Sequence, residues 1–225
     1  MTNALAVCGS NLTGDASYSA ALRTPAGVSV ARTPRGERGD LAPLVDQLCR
    51  AAGVAPGALG EVRADLGPGS YTGLRVALTF LRTLAAFDEV RVFGLDSLAL
   101  LAAAAPRSTG RLVVVLDARR DRWHRGLFRR GADGVLQQLE ASRAERWPEL
   151  VDGLAADDLV VTMPGQQVAI ADRLAASEVA ASHRIECVGV VPGDAAALFD
   201  VTLPIAAIDA DDLQPRYLMG SYAED

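Results

Sequence analysis

Apolar residues in the first part of the chain fall into short runs that are separated by turn residues. Runs at residues 4–7, 18–22 and 27–31 are divided by glycine, serine and proline, a spacing that predicts three strands joined as an antiparallel meander. At residues 40–53 the apolar positions recur at helical spacing, which predicts a helix with one apolar face. We therefore expect the chain to open with a small sheet followed by a helix.

The segment at residues 74–87 predicts a long helix whose apolar side chains lie almost all round its surface. It follows a predicted strand at residues 61–66 and precedes another at residues 91–93, after which residues 95–105 form a further helical pattern. A helix that is apolar on most sides must be covered on more than one of them. We expect helix 74–87 to lie deep in a core or to continue into another protein.

The second half of the chain repeats this order of elements. Residues 112–116 are typical of a buried strand, and residues 123–129 and 134–139 are predicted to pair through a turn, giving a second meander. Further helices are predicted at residues 144–153, 166–176 and 192–199, and further strands at residues 159–162 and 184–188.

Because a meander followed by alternating strands and helices occurs twice, the fold class that we predict is α/β with two lobes. The short segment at residues 105–110 contains proline, serine and glycine and is the best candidate for the boundary. The predicted domains are an N-terminal lobe at residues 1–105 and a C-terminal lobe at residues 106–225.

The charged residues exclude several functions. The net charge is -6, so the surface as a whole does not attract nucleic acid, and any RNA contact must be local or supplied by a partner. All 22 basic residues are arginine. Phosphate-loop NTPases of the usual kind and Schiff-base enzymes both need a lysine amine, so neither chemistry is expected.

The cysteine residues and the apolar stretches indicate the cellular compartment of the protein. Cys8, Cys49 and Cys187 are far apart and form no CxxC motif, which favours a reducing cytoplasm. The longest apolar stretch, at residues 98–105, is too short to cross a bilayer. We therefore expect a cytoplasmic protein that does not bind membranes.

A glycine-rich loop between a predicted strand and the long helix is the most informative stretch. Backbone amides at a helix start can cradle an anion, and glycine lets a ligand come close. The alternative is a tight turn in which Ser70 or Thr72 caps the helix. The candidate loop residues are Gly67, Pro68, Gly69, Ser70, Tyr71, Thr72, Gly73 and Arg75.

The sequence lacks the arrangements of side chains that serine hydrolases and metal-dependent enzymes need. A nucleophilic Ser70 would need glycine at the position of Pro68, and only His124 and His183 are present to act as a base. The histidines and cysteines show no metal-ligand spacing. No catalytic residue, metal site or cofactor is therefore predicted.

Three carboxylates leave one alternative open. Asp65, Asp117 and Asp121 could bind a hydrated magnesium ion, although surface salt bridges or the capping of strand ends are the more common roles for such residues.

The loop and its flanks also resemble a known family. The stretch at residues 67–75 is similar to the GPGS-aromatic-TGLR signature of TsaB (YeaZ) proteins, and further similarities occur at residues 41–43, 116–120 and 215–218. The resemblance implies an actin-like (ASKHA) fold of two related lobes. It places the chain in the wider TsaD superfamily, which is also called the M22 or glycoprotease-like superfamily.

The resemblance implies a supporting function in tRNA modification. TsaB-like subunits pair with the catalytic homologue TsaD and join the ATPase TsaE to make threonylcarbamoyladenosine beside the anticodon of ANN-decoding tRNAs. The chain is then a non-catalytic subunit that meets tRNA only through the complex, and a homodimer is also possible. The alternative is an ATP-binding or hydrolytic enzyme of the actin-like superfamily.

Two departures from the family pattern bear on nucleotide binding. TsaB proteins usually carry Asp-Thr-Ser at the end of the first strand, and this chain has Cys8-Gly9-Ser10. Residues 37–40 stand where relatives often have a His-Ser pair. Loss of the acid argues against ATP hydrolysis by this chain, because that position organises magnesium and phosphate in actin-like ATPases.

We expect the partner to pack on helices 40–53 and 74–87, with some of their apolar side chains facing the chain's own core and others the partner. Arg75 can reach a carboxylate of the partner or of its own lobe. The candidate contact residues are Leu44, Leu48, Leu74, Leu78, Phe80, Leu81 and Leu84.

Overall fold

The structure is a computed structural model, and it describes residues 2–12, 16–34, 40–87, 89–106, 110–179, 183 and 185–218. The chain divides into two compact α/β units. The first extends to Ser97 and takes back Gly193–Val201 and Ile205–Arg216 from the end of the chain, whereas the second contains Leu98–Pro192 and Thr202–Pro204. The sequence predicted two continuous lobes, at residues 1–105 and 106–225, whereas the first unit also contains two late segments. A pattern along the chain does not show which sheet a late segment joins.

The sheet of the first unit has six strands in the order β11-β5-β4-β1-β2-β3. Strands β1, β2 and β3 form the predicted antiparallel meander, whereas β4 and β5 are parallel to β1 and β11 is antiparallel to β5. The strands are β1 (Asn3–Cys8), β2 (Ala16–Thr24), β3 (Gly27–Pro34), β4 (Leu59–Asp65), β5 (Arg91–Leu95) and β11 (Ala206–Ile208).

Two helices cover one face of this sheet. Helix α1 (Leu41–Ala52) buries Leu41, Val45, Leu48 and Cys49 and ends at Gly53, whose φ of 65° is the left-handed conformation that glycine adopts without strain. Helix α2 (Tyr71–Phe87) lies beside it, and the two helices close a core with Leu5, Val7 and Val62 of the sheet.

Helix α2 differs from its prediction in one respect. The expectation of an apolar surface on almost all sides was wrong, because the face that points away from the sheet carries threonine and arginine as well as apolar residues. The helix also begins three residues earlier than predicted. The exposed positions are Tyr71, Thr72, Arg75, Val76, Thr79, Arg82, Thr83 and Ala86.

The opposite face of the first sheet is covered by a late segment of the chain. Residues 192–199 were predicted as a helix, and the structure has a short 3-10 turn there, Ala195–Phe199. The segment is held by a hydrogen bond from Arg63 Nη1 to the carbonyl of Leu198 (2.8 Å) and by the guanidinium of Arg23, which lies 4.5 Å from the ring of Phe199. Polar contacts with the sheet therefore fix a segment that has little regular structure of its own.

The sheet of the second unit has five strands in the order β10-β9-β6-β7-β8. Strands β6, β7 and β8 form the second predicted meander, and β9 and β10 are parallel to β6. The strands are β6 (Arg111–Arg119), β7 (Arg122–Arg130), β8 (Leu136–Arg146), β9 (Leu159–Thr162) and β10 (Glu186–Gly189).

Three helices lie in the described part of the second unit, the first of which begins at Ser97 where the first unit ends; two are shorter than predicted, and the third begins two residues earlier than predicted. They are α3 (Ser97–Ala104), α4 (Trp147–Asp152) and α5 (Pro164–Ala175). The predicted helix at residues 144–153 was wrong at its start, because β8 continues to Arg146 and pairs there with Arg122. Position 184, in the last predicted strand, lies outside the described residues.

Two tryptophans lie in the core of the second unit. The rings of Trp123 and Trp147 meet edge to face with their centroids 5.1 Å apart, and the guanidinium of Arg173 lies over both. Among the residues that the structure describes, no helix combines the length and the apolar character needed to cross a bilayer.

Candidate functional site

The carboxylate of Asp65 lies at the centre of the candidate site, at the end of β4. It is fully buried, and its Oδ1 and Oδ2 accept hydrogen bonds from the backbone N–H groups of Gly9 (2.9 Å) and Ser10 (3.0 Å). The hydroxyl of Ser97, the first residue of α3, lies 3.4 Å from Oδ2. One side chain thus ties the ends of two neighbouring parallel strands and the start of a helix.

Burial dominates the electrostatics of this carboxylate. Desolvation raises the pKa of Asp65 above its ordinary value of 3.8, and the hydrogen bonds from Ser10, Gly9 and Ser97 oppose that shift. Each carboxylate oxygen accepts one backbone N–H group from the turn after β1. Asp65 therefore stabilises the chain's own turn.

Cys8 stands at the position where TsaB proteins usually have an acid. Its side chain is buried, and burial raises the pKa of the thiol well above 9.0, with a further contribution from the carboxylate of Asp65. The residue is a neutral thiol at physiological pH. An acid at this position would place a second negative charge beside Asp65, which this chain avoids.

The start of the glycine-rich loop is joined to the start of α3. The N–H of Gly67 donates to Ser97 Oγ, and the N–H of Ser97 donates to the carbonyl of Gly67, both at 2.9 Å. The N–H of Arg216 donates to the carbonyl of Leu66 at 2.7 Å. Gly67 has φ +101°, and the Gly67–Pro68 peptide bond is cis. The loop is held at its first residues by backbone contacts from two other segments.

Ser70 caps α2. Its Oγ accepts a hydrogen bond from the N–H of Gly73 at 3.1 Å, and its carbonyl accepts one from the N–H of Leu74 at 2.9 Å. The N–H of Ser70 itself donates to the carbonyl of Ser10 at 2.8 Å. Of the two caps that the sequence left open, the structure has Ser70, and Thr72 lies exposed within the first turn.

The glycines of the loop permit contact between two backbone segments. A Cβ atom on Gly73 would lie 2.2 Å from the carbonyl oxygen of Gly9, and one on Gly69 would lie 2.5 Å from Ser10 Cβ. The turn after β1 therefore fills the space in front of the helix start. Together with the Ser70 cap, these contacts have the geometry that the tight-turn interpretation of the loop predicts.

Comparison with known proteins shows the family of the chain. The family model described as "TsaD: tRNA N6-adenosine threonylcarbamoyltransferase" matches residues 17–139, more than half of the chain. The chain is 29% identical over 128 residues to the protein of Bacillus subtilis (strain 168) named tRNA threonylcarbamoyladenosine biosynthesis protein TsaB, covering 57% of this chain and 56% of that protein. The protein of the same name from Escherichia coli (strain K12) is 27% identical over 120 residues, which are 52% of each chain.

The chain belongs to the TsaB (YeaZ) family, within the TsaD superfamily. It matches about half the length of these two relatives.

Solved structures of TsaB-family proteins share the fold. A structure named YeaZ from Pseudomonas aeruginosa aligns with a TM-score of 0.71 and 21% sequence identity. The alignment covers 97% of this chain and 100% of that chain. A second structure, of a Pseudomonas aeruginosa protein described as similar to peptidase YEAZ, gives a TM-score of 0.71 and 22% identity with the same coverage. The predicted actin-like (ASKHA) fold is thereby confirmed.

Four of the seven candidate contact residues of this TsaB-family chain lie in its own core. Leu48, Leu74, Leu78 and Leu81 are buried and at most 6% exposed, and all but Leu74 belong to the core that packs against the first sheet. The other three, Leu44, Phe80 and Leu84, are partly buried at the edge of the same core. A partner can reach only the second group without unfolding this unit.

The outer face of α2 has two apolar side chains that the sequence pattern missed. Tyr71 is 53% exposed and Val76 is 41% exposed. The helical spacing could have shown this. Leu74 and Leu78 are one turn apart and share a face of α2, and Tyr71 and Val76 point to a different side of the helix. Arg75 contacts the ring of Tyr71 at 5.2 Å and hydrogen-bonds its hydroxyl, and it forms no ion pair with another described residue.

The remaining polar candidates lie in the second unit. Within the described ranges, no three His, Cys, Asp or Glu side chains come together as a group that could hold a metal ion. The carboxylate of Asp117 accepts the N–H of Arg119 at 2.7 Å, and that of Asp121 pairs with Arg173 at 3.2 Å. His124 is largely buried, and desolvation lowers its pKa to about 4.

Proposed function

We propose that this chain is a non-catalytic subunit of the machinery that makes threonylcarbamoyladenosine in tRNA, pairing with a TsaD homologue and acting with a TsaE ATPase in the cytoplasm. Membership in the TsaB family supports the pathway, since both matched relatives carry threonylcarbamoyladenosine biosynthesis in their names. The modified site in this proposal is the adenosine beside the anticodon of ANN-decoding tRNAs, and tRNA is modified by the assembled complex.

The proposal that the subunit is non-catalytic rests on the closed turn around Asp65. Both carboxylate oxygens accept backbone N–H groups, and the turn after β1 lies directly against Gly73 at the helix start. In actin-like ATPases an acid at the end of the first strand organises magnesium and phosphate, and this chain has Cys8-Gly9-Ser10 there. In this chain the turn after β1 and the glycine-rich loop fix the position of α2. The loop therefore helps to orient the outer face of α2 towards a partner.

We infer that the TsaD homologue packs on the outer faces of α1 and α2. Tyr71 and Val76 supply exposed apolar area on α2, and Leu44, Phe80 and Leu84 border it as partly buried residues. Burial of apolar surface stabilises association by about 25 cal/mol for each Å² removed from water. The threonines and arginines on the same face are typical of a contact between subunits that also fold separately.

Deletion of the gene tests the pathway. Threonylcarbamoyladenosine in bulk tRNA, measured by mass spectrometry, should fall in the deletion strain and return when the wild-type chain is expressed. An unchanged level would contradict the proposal.

Co-purification with the TsaD homologue tests the surface. The change Val76→Glu places a charge on the exposed face of α2 and should abolish co-purification while the circular dichroism spectrum stays that of the wild type. The matched control is Val168→Glu, an exposed valine of α5 in the other unit, which should co-purify normally. Equal retention of both variants would overturn this surface.

The alternative of an actin-like hydrolase has its own test. If the purified chain hydrolysed ATP or a peptide, and Asp65→Asn or Ser70→Ala removed that activity, the non-catalytic assignment would be wrong.

A further inference from the structure

We propose that Arg119, Arg122 and Arg146 form a binding site for the phosphate groups of an RNA strand. The three arginines lie at the end of the second sheet where β6 turns into β7. Arg119 is paired with Arg122 across the turn, and Arg122 is paired with Arg146 across the next strand. The choice of RNA rests on the proposed function, whereas the site itself rests on the geometry of the second unit.

The pairing places like charges side by side. Residues directly opposite each other in antiparallel strands point to the same face with Cβ atoms about 5 Å apart, and like charges at this distance destabilise the sheet. None of the three arginines forms an ion pair with another described residue. An anion bound between the arginines would offset this repulsion, and a guanidinium can bind a phosphate through two parallel hydrogen bonds.

The nearby carboxylates do not neutralise the row. Asp117 accepts the backbone N–H of Arg119, and Glu149 accepts the backbone N–H of Arg146 at 3.0 Å. Asp121 pairs with Arg173. The charged ends of the three arginines therefore stay available to a ligand, although the net charge of the whole chain is negative.

The turn that sets this register has an unusual sequence. Arg120 and Asp121 form the two-residue loop and have φ of 52° and 56°, and Arg119 before them has φ of 68°. Two-residue hairpin loops with positive φ at both positions are normally Asn-Gly or Asp-Gly. Bulky residues held in the left-handed region cluster at functional sites, where the strain is retained for the position that it gives to a side chain.

The position in the sheet also points to a ligand. Strands β6 and β9 are parallel, and the N–H of Asp117 at the end of β6 donates to Gln166 Oε1 in the first turn of α5 at 2.9 Å. The arginine row thus lies at the carboxyl end of parallel strands, which is the edge where open α/β sheets bind their ligands.

Fluorescence anisotropy with a labelled RNA hairpin and the full chain tests the proposal. If the three arginines neutralise three phosphates, the logarithm of the binding constant should fall with the logarithm of salt concentration with a slope of about -2 to -3. Changing Arg119, Arg122 and Arg146 together to Gln should weaken binding at least tenfold at low salt and bring the slope towards zero.

A control variant separates the site from net charge. Arg50, Arg82 and Arg129 are exposed elsewhere on the chain, and their joint change to Gln removes the same charge. This variant should change binding less than twofold. Equal losses in both triple variants, or no RNA binding by the wild type at low salt, would overturn the proposal.

Thermal unfolding distinguishes a binding role from a structural one. Because Arg122 and Arg146 repel each other, Arg122→Gln should leave Tm unchanged or raise it, whereas a structural contact would lower it. Competition identifies the source of the phosphate. Unlabelled RNA should displace the probe, and equal displacement by ADP, inorganic phosphate or polyglutamate would show a general anion site and contradict the RNA assignment.

Complementation keeps this proposal separate from the proposed function. If the site triple variant binds RNA like the wild type and fully restores threonylcarbamoyladenosine in the deletion strain, the arginine site fails while the pathway holds. If deletion leaves the nucleoside unchanged, the pathway fails and the binding result still decides the site.

Discussion

The backbones of Gly9 and Gly73 are in close contact: a Cβ atom on Gly73 would lie only 2.2 Å from the carbonyl oxygen of Gly9. The contact joins the turn after β1 to the first turn of α2. It explains why the loop needs glycine at these positions, because a side chain there would overlap the turn after β1.

The change Gly73→Ala should therefore destabilise the protein. Alanine is the better helix former by about 1 kcal/mol, yet the methyl group overlaps backbone that cannot rotate away, and overpacking of this kind costs about 1–3 kcal/mol. Urea unfolding measures the difference. Gly165 in the first turn of α5 is the control, since nothing lies within 4 Å of its missing Cβ and Gly165→Ala should be neutral or stabilising. Equal effects of the two changes would contradict the contact.

The raised pKa of Asp65 gives a prediction about pH. A carboxyl group whose pKa is higher in the folded state binds more protons there, so its contribution to stability increases as pH falls from neutral towards its ordinary pKa of 3.8. The free energy of unfolding of the wild type, relative to Asp65→Asn, should rise over this window. At neutral pH the variant should be less stable by about 1–3 kcal/mol, because an amide oxygen replaces only one of two acceptors for Gly9 and Ser10. A relative stability that falls on acidification would show that the hydrogen bonds outweigh burial.

His124 should have the opposite dependence on pH. Its pKa is lowered to about 4 by burial, so below pH 6.5 the unfolded chain binds the proton more readily than the folded chain does. Relative to His124→Leu, the wild type should lose stability as pH falls from 6.5 to 4. Unfolding by urea at several pH values measures this difference, and a flat profile would show that the imidazole is solvated.

Glu61 should be a large contributor to the stability of the first unit. Its buried carboxylate pairs with Arg63 at 2.6 Å and with Arg23 and Arg91 at 3.1 Å. Removing one partner of a buried pair leaves charge without compensation, so Glu61→Gln should cost about 3–5 kcal/mol.

The control for Glu61 is an exposed ion pair on α1. Asp46 pairs with Arg50 one turn away, and Asp46→Asn should change the free energy of unfolding by no more than about 0.5 kcal/mol. Similar losses in the two variants, measured by urea unfolding, would show that water screens the Glu61 network.

The local pattern of the sequence determined the two meanders, the alternating elements after them and the capped helix behind the glycine-rich loop. These features depend on neighbouring residues: side chains alternate along a strand and repeat every turn along a helix, and Ser70 caps a helix that starts one residue later. The family followed from the same loop, whose short motif lies within one continuous stretch.

Only the tertiary structure decided what that loop encloses and which residues a partner can reach. Asp65 and Gly9 are 56 positions apart, and Arg63 holds a segment 135 positions later, so no local spacing could connect them. Leu78 and Val76 look equally apolar in the sequence, and the sheet beneath α2 buries the first and leaves the second exposed. Burial depends on which surfaces meet after the chain has folded, and long-range pairing determines those surfaces.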